Sequence, residues 1–332
     1  MVINMIKFPK LYIAATLQCN LACKYCPQTL YNKTDPKFTE DMKKYLQNLD
    51  SDTHEVAITG GEPLLCWDKV KEIFSYIPND INKTIITNGT LLTQDIVDYV
   101  NMHNIKIQLS YNGKTTEFLC GIDVLQDTTL LNLIQQINNL KISLLVTKYN
   151  NDVWENYFDT IAKLGKNVMY SINLVGDNQD LQDMINTFDY NLAVKTQTEF
   201  NNSNFYIPDP SQYKSNMNNQ QKRSKLNFTV LLNGDIYNLA TNTQFGTVFD
   251  GTYDNFIDAF LQSDYFKKCA ECEYCERCQN GCNYISNHTC RYYQTLIKFN
   301  NIFLKDRMKF KAYVNNKLPQ IEDQYKYNGN NK

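Results

Sequence analysis

The sequence predicts an α/β fold with a parallel sheet, followed by a small cysteine-rich C-terminal extension. Three observations carry this. Short apolar runs alternate with helical patterns across the first half of the 332 residues. Polar or glycine-bearing stretches recur just after those runs, at the strand ends where parallel α/β folds place their chemistry. A run of closely spaced cysteines, Cys269 to Cys290, then marks a part of different composition.

Taken in order, Lys10 to Thr16 reads as the first strand, followed directly by a loop with three cysteines. Residues 39–49 have helical spacing, with Met42, Tyr45, Leu46 and Leu49 on one face. Glu55 to Thr59 is a strand ending in Gly60-Gly61-Glu62-Pro63. A helix at 68–76 leads to a strand at 83–87 that ends in Asn88-Gly89, and a helix at 95–103 leads to a strand at 105–111 that ends in Asn112-Gly113. The alternation continues with helix 125–139, strand 141–147, helix 152–164 and strand 168–174. Residues 201–225 are polar and poor in aliphatics, and read as a linker or mobile loop. Leu226 to Leu232 and Ile236 to Leu239 flank Asn233-Gly234, a hairpin signal. Helices are expected at 253–261 and about 291–313, with a frayed tail over 315–332.

Composition narrows the function. The 43% hydrophobic content supports a sizeable core, and a net charge of -2 gives no basic footprint for nucleic acid. No apolar run approaches the ~20 residues that span a bilayer, and Met1 to Pro9 lacks a signal-peptide pattern. A cytosolic protein with no membrane or nucleic-acid partner is expected. Eleven cysteines in such a chain point to metal rather than disulfides.

Nine of those cysteines fall in two clusters. Cys19, Cys23 and Cys26 are separated by three and then two residues, close enough for their thiolates to converge on one soft metal centre. A structural zinc site would want a fourth ligand nearby, and the next cysteine, Cys66, is distant. This spacing, with Tyr25 just before the last cysteine, resembles the signature of the radical S-adenosylmethionine (radical SAM) superfamily. Thr59-Gly60-Gly61-Glu62-Pro63, one β/α unit later, is a second match. The resemblance implies a partial barrel of six β/α units over residues 8–200. It also implies a 4Fe-4S cluster on Cys19, Cys23 and Cys26 whose open iron binds S-adenosylmethionine. Glycines permit close backbone approach, Pro63 stiffens the strand exit, and the Glu62 carboxylate accepts hydrogen bonds, by resemblance from the methionyl amine. Ser110-Tyr111-Asn112-Gly113 stands where the family often has Ser-x-Asp-Gly, with Asn112 in place of the Asp, and the resemblance implies cofactor contacts at Ser110 first and at Asn112. Asn88 and Asn150 hold similar strand-end positions, where a solvated turn residue is an equal reading.

The C-terminal run is Cys269, Cys272, Cys275, Cys278, Cys282 and Cys290. It resembles the C-terminal half of the SPASM domain of peptide-modifying radical enzymes, placed here at 226–314. By that resemblance Cys269, Cys272, Cys278 and Cys290 hold one auxiliary 4Fe-4S cluster, as in the shortened twitch form. Cys275 and Cys282 are alternative ligands, and a zinc knuckle is the competing structure. Residues 201–268 hold no cysteine for a further cluster. Ala240 stands where sulfatase-maturing relatives have Asp, which disfavours that activity. The early first strand leads us to expect no separate N-terminal peptide-recognition domain.

The expected function is therefore a radical SAM enzyme that modifies a peptide. A reductant such as flavodoxin or ferredoxin would be its electron partner. A small metabolite or cofactor precursor is the second substrate class, and a non-catalytic metal-binding module the third. Cys120, in the loop after the fourth strand, is a candidate hydrogen-atom donor; a packed loop cysteine is the plainer reading. Cys66 reads as a small buried hydrophobe. His54, His103 and His288 read as surface or capping residues.

Overall fold

The computed structural model describes residues 5–24, 26, 34–146, 160, 163–165, 168–174, 205–206, 228–238, 243–252 and 255–256. The expected helices at 152–164, 253–261 and 291–313, the tail and the C-terminal cysteine run lie wholly or largely outside these residues.

Three of the described helices form where a side-chain cap and an apolar stripe coincide. Thr39 caps α1 (Glu40–Gln47) by accepting the Met42 N–H, and Met42, Tyr45, Leu46 and Leu49 are all buried as their spacing predicts. The Tyr45 hydroxyl donates to the Ile6 carbonyl at 2.8 Å, which satisfies its only polar atom inside the core. A one-turn 3-10 helix, Pro63–Cys66, precedes α2 (Trp67–Ser75). Thr93 caps α3 (Gln94–Met102), and α4 (Thr116–Cys120) ends at Gly121, whose φ of 85° is the left-handed cap glycine tolerates. The helix expected at 125–139 is α5 (Thr128–Gln136). It starts three residues later because Asp127 caps it, accepting the Leu130 N–H.

Strands β1 (Lys10–Thr16), β2 (Glu55–Gly60), β3 (Asn82–Thr87), β4 (Lys106–Tyr111), β5 (Leu140–Val146), β6 (Met169–Leu174) and β7 (Phe205–Tyr206) pair in chain order, all parallel. The six expected strands are present. β7 falls inside the stretch read as a linker. The hairpin at Asn233-Gly234 forms, as β8 (Thr229–Leu231) and β9 (Asp235–Asn238), with β10 (Thr243–Thr247) beyond it. Its first strand pairs parallel with β1, Ala14 opposite Leu231, so one sheet runs β10-β9-β8-β1-β2-β3-β4-β5-β6-β7.

Each strand puts alternate residues on opposite faces. Leu11, Ile13, Val56, Ile58, Ile85, Ile107, Leu109 and Ile142 pack with Met42, Val70, Ile73, Val97, Val100 and Ile134 of the helices in one core. The other face carries Tyr12, Ala57, Thr84 and Lys106 in one row across four strands, with Gln108 opposite Lys141 and Ser110 opposite Ser143 further along it. This face, free of helices among the described residues, is polar, which suits a ligand rather than a packed layer.

Candidate functional site

The site is built on the loop that leaves β1. Asp35 clasps the base of this loop: its carboxylate accepts the Thr16 hydroxyl at 2.7 Å and the Leu17 N–H at 2.6 Å, with Lys69 at 3.8 Å. Cys19, Cys23 and Cys26 follow. All three are half-buried thiols rather than disulfides. The Cys26 N–H donates to the Cys23 carbonyl at 3.0 Å, a turn that brings the second and third cysteines together. The Leu21 N–H lies 3.5 Å from Cys19 Sγ. Among the described residues no three Cys, His, Asp or Glu side chains already close on a single ion. The donor set of three thiols on one short, partly exposed loop fits an iron–sulfur cluster by its chemistry.

The second element is the turn after β2. Gly61 N–H donates to the Thr16 carbonyl at 2.9 Å, and Glu62 N–H to the Gln18 carbonyl at 2.8 Å. A Cβ on Gly61 would stand 1.9 Å from the Gln18 oxygen; one on Gly60, where φ is +124°, would stand 2.1 Å from the Thr16 oxygen. The close approach that demands these glycines is thus to the cysteine loop's own backbone.

Glu62 is 1% exposed. Its Oε1 accepts the Leu64 N–H at 3.0 Å and the Thr87 hydroxyl at 2.7 Å, and its Oε2 accepts the Asn88 N–H at 2.8 Å. Burial pushes its pKa up, against the pull of these three donors. The carboxylate therefore joins the turn after β2 to the end of β3. Pro63 starts the 3-10 turn that Glu62 caps.

Asn88 reaches the loop directly. Its Nδ2 donates to Asn20 Oδ1 at 3.0 Å and lies 4.0 Å from Cys19 Sγ, while its Oδ1 accepts from the Thr90 N–H and hydroxyl. Asn20 in turn donates to the Thr90 hydroxyl at 2.7 Å. A third contact comes from α4: the Lys24 N–H donates to the Leu119 carbonyl at 3.0 Å, and the Lys24 ammonium sits 3.5 Å from the Phe118 ring centroid.

Ser110 lies half-buried on the helix-free face of β4, opposite Ser143. Asn112 is buried, and the Cys120 thiol donates to its Oδ1 at 3.7 Å. The structure thus joins Asn112 and Cys120 to each other, and through Leu119 to the cysteine loop. Cys66 packs against the core and donates to the Pro63 carbonyl; burial pushes its thiol up to about 11, away from reactivity. His103 ends α3 and stacks on Tyr99, and the exposed His54 lies away from the site. Tyr25, Asn150, His288 and Cys269, Cys272, Cys275, Cys278, Cys282 and Cys290 lie outside the described residues. Sequence reading passed over Asp35, Asn20, Thr87 and Lys24. Asn20 and Lys24 fall between the motif's cysteines, Asp35 and Thr87 sit in no motif, and each acts through a contact distant in sequence.

Residues 13–113, which carry the cysteine loop, the glycine turn and Asn88, match the sequence model of the Radical SAM superfamily. This chain carries a radical SAM domain. Curated relatives include the radical SAM cyclopropyl synthase TigE of Paramaledivibacter caminithermalis, 23% identical over 49% of this chain and 40% of that protein. A GTP 3′,8-cyclase of Aliarcobacter butzleri is 30% identical over 36% of this chain and 40% of the relative. The chain thus spans about two fifths of the length of these relatives. Among solved structures, anSMEcpe with bound AdoMet superposes with a TM-score of 0.61 at 16% identity, covering 90% of this chain and 98% of that one. Streptococcus suis SuiB bound to precursor peptide SuiA gives 0.61 at 18% identity, covering 83% and 72%. The radical SAM domain here has the parallel α/β architecture of the superfamily's TIM-type barrels. Among the described residues no helix is long and apolar enough to cross a membrane.

Proposed function

We propose that this radical SAM protein is an enzyme that modifies a peptide. The observation that carries the catalytic part is the clasp between the cysteine loop and the Gly60-Gly61-Glu62 turn, where two backbone hydrogen bonds and Gly61 hold the loops in contact. When bound, a 4Fe-4S cluster with S-adenosylmethionine supplies one-electron cleavage of the sulfonium to methionine and a 5′-deoxyadenosyl radical. The chain's own residues prepare for it. Cys19, Cys23 and Cys26 would ligate the cluster, and Asp35, Asn20 and Lys24 fix their loop at its base, middle and far side. Glu62 and Asn88 tie that loop to β3. The helix-free face, with Ser110 near its top, would receive cofactor and substrate.

The peptide reading is supported by the C-terminal run Cys269 to Cys290, whose spacing resembles an auxiliary-cluster domain. It is also supported by the fold shared with SuiB, which is bound to a precursor peptide. Cys269, Cys272, Cys278 and Cys290 would hold that auxiliary cluster, with a flavodoxin or ferredoxin as electron donor. The match to GTP 3′,8-cyclases favours the second reading, a small-metabolite substrate. The test is anaerobic reconstitution with counting of iron and 5′-deoxyadenosine, followed by a peptide screen. About eight irons per chain are expected, four for each cluster. Replacing Cys19, Cys23 and Cys26 together by Ala should abolish 5′-deoxyadenosine and leave about four irons. Undiminished cleavage in that variant would overturn the reading.

A further inference from the structure

The helix-free face has a second chemically marked region, at the opposite end of the strands from the cysteine loop. Lys10 opens β1, Glu55 opens β2, Lys106 opens β4, and Lys141 is the second residue of β5. Strand register puts them all on this face: Lys10 is opposite Glu55, Thr84 opposite Lys106, and Gln108 opposite Lys141. Glu55 accepts the Thr84 hydroxyl at 2.6 Å and pairs with Lys10 at 3.1 Å and Lys106 at 3.9 Å. Among the described residues it is the only carboxylate on this face, so three ammoniums share one negative charge.

Lys141 is the one left over. Half-buried, it has no hydrogen bond or ion pair with any described residue. Burial, then the neighbouring Lys10 and Lys106 ammoniums, push its amine down to about 8 against the pull of Glu55. A half-buried ammonium without a counter-charge destabilises the fold unless an anion joins it. Solvent reaches the group, since the side chains of Lys10, Lys106 and Glu55 are 32%, 25% and 20% exposed. An anion can therefore enter.

We propose that Lys10, Lys106 and Lys141 form an anion subsite that holds a carboxylate of an extended peptide substrate. This rests on the peptide reading above and sharpens it through a length. β1 has seven residues, so Lys10, the far end of the subsite, lies about 20 Å along the strand from the cysteine loop at 3.3 Å per residue. A compact metabolite does not touch both ends. An extended peptide does, with its anchored carboxylate up to about six positions from the residue held beside the cysteine loop.

The test titrates three probes into the reconstituted full-length chain at constant ionic strength: hexaglycine as the free acid, hexaglycine amide, and inorganic phosphate. Binding is read by calorimetry and by the rise in Tm. The free acid should bind and the amide should not. Lys141→Met and, separately, Lys106→Met should weaken binding by roughly tenfold. Lys141→Arg should retain it, and Lys83→Met, on the helix-covered face, should leave it alone. Equal binding of acid and amide, or binding indifferent to both Lys→Met variants, would overturn the subsite and leave the lysines as a seal on the sheet. Phosphate binding without acid binding would overturn the peptide carboxylate in favour of a phosphorylated metabolite. The titration involves no S-adenosylmethionine. Failure here with 5′-deoxyadenosine still formed by the wild-type chain rejects the subsite alone, and absent cleavage rejects the catalytic reading alone.

Discussion

Replacing Glu62 by Gln separates a carboxylate that builds the site from one that only waits for a ligand. In the folded chain Oε1 takes the Leu64 N–H and the Thr87 hydroxyl, and Oε2 takes the Asn88 N–H. A glutamine amide keeps one oxygen and puts an NH2 group in the other place. Whichever way it turns, an N–H is set against a backbone N–H, at Asn88 or at Leu64. The residue is 1% exposed, so water does not relieve the clash. One unsatisfied buried donor costs about 1–3 kcal/mol, which puts Glu62→Gln at about 2 kcal/mol of lost stability. Glu62→Ala strands three donors and is expected to lose about 3 kcal/mol, at the low end of that range for each. Urea unfolding of the apo chain under anaerobic conditions measures both, and Trp67, next to the turn that Glu62 caps, is a local fluorescent reporter. Amide hydrogen exchange should show Asn88 losing protection. Stability within about 0.5 kcal/mol of wild type, with Asn88 still protected, would refute the reasoning; a loss confined to S-adenosylmethionine binding would then mark Glu62 as a ligand contact.

Two further predictions address single side chains. Cys120→Ala, assayed with substrate in deuterated water, should give product that no longer takes up solvent deuterium, since the proposed donor thiol ends a helix that touches the cysteine loop through Leu119. Labelled product formed at the wild-type rate would return Cys120 to a packing role. Lys141→Met should stabilise the chain near neutral pH, because the fold lowers the lysine from 10.5 to about 8. At about 1.4 kcal/mol for each tenfold step in proton affinity, the gain has an upper value of about 3 kcal/mol. Between those two pH values the unfolded chain holds a proton that the folded chain has released, so wild-type stability rises with pH relative to the variant. A stability difference flat from pH 7 to 10 would show that Lys141 is as well solvated folded as unfolded.

Much of the architecture was legible because it is written in local periodicity. The stripe Met42, Tyr45, Leu46 and Leu49 forecast a buried helix face, and all four are buried. Six strand runs were visible for the same reason. The short helix Thr116–Cys120 was not, since five residues are too few to show a helical repeat. β7 is two residues in a polar stretch and left no signal. The Asn233-Gly234 hairpin was readable as a hairpin, yet nothing local says that its first strand pairs with β1 more than two hundred residues earlier.

The site divides in the same way. By itself the sequence determined the ligand chemistry, because three thiols at short spacing and a Gly-Gly-Glu-Pro turn are local facts that survive any fold. Only the tertiary structure decided what those residues touch. The carbonyls of Thr16 and Gln18 make Gly60 and Gly61 necessary. Thr87 and Asn88 make Glu62 a strut, and Leu17 gives Asp35, which sits in no motif, its work. Strand register, too, puts Lys10, Lys106 and Lys141 on the sheet face that carries Glu55. The physical reason is that ligand type belongs to a side chain, whereas a hydrogen bond or an uncompensated charge belongs to a pair. The pairs here are made by parallel strands, whose partners are joined only through long crossovers.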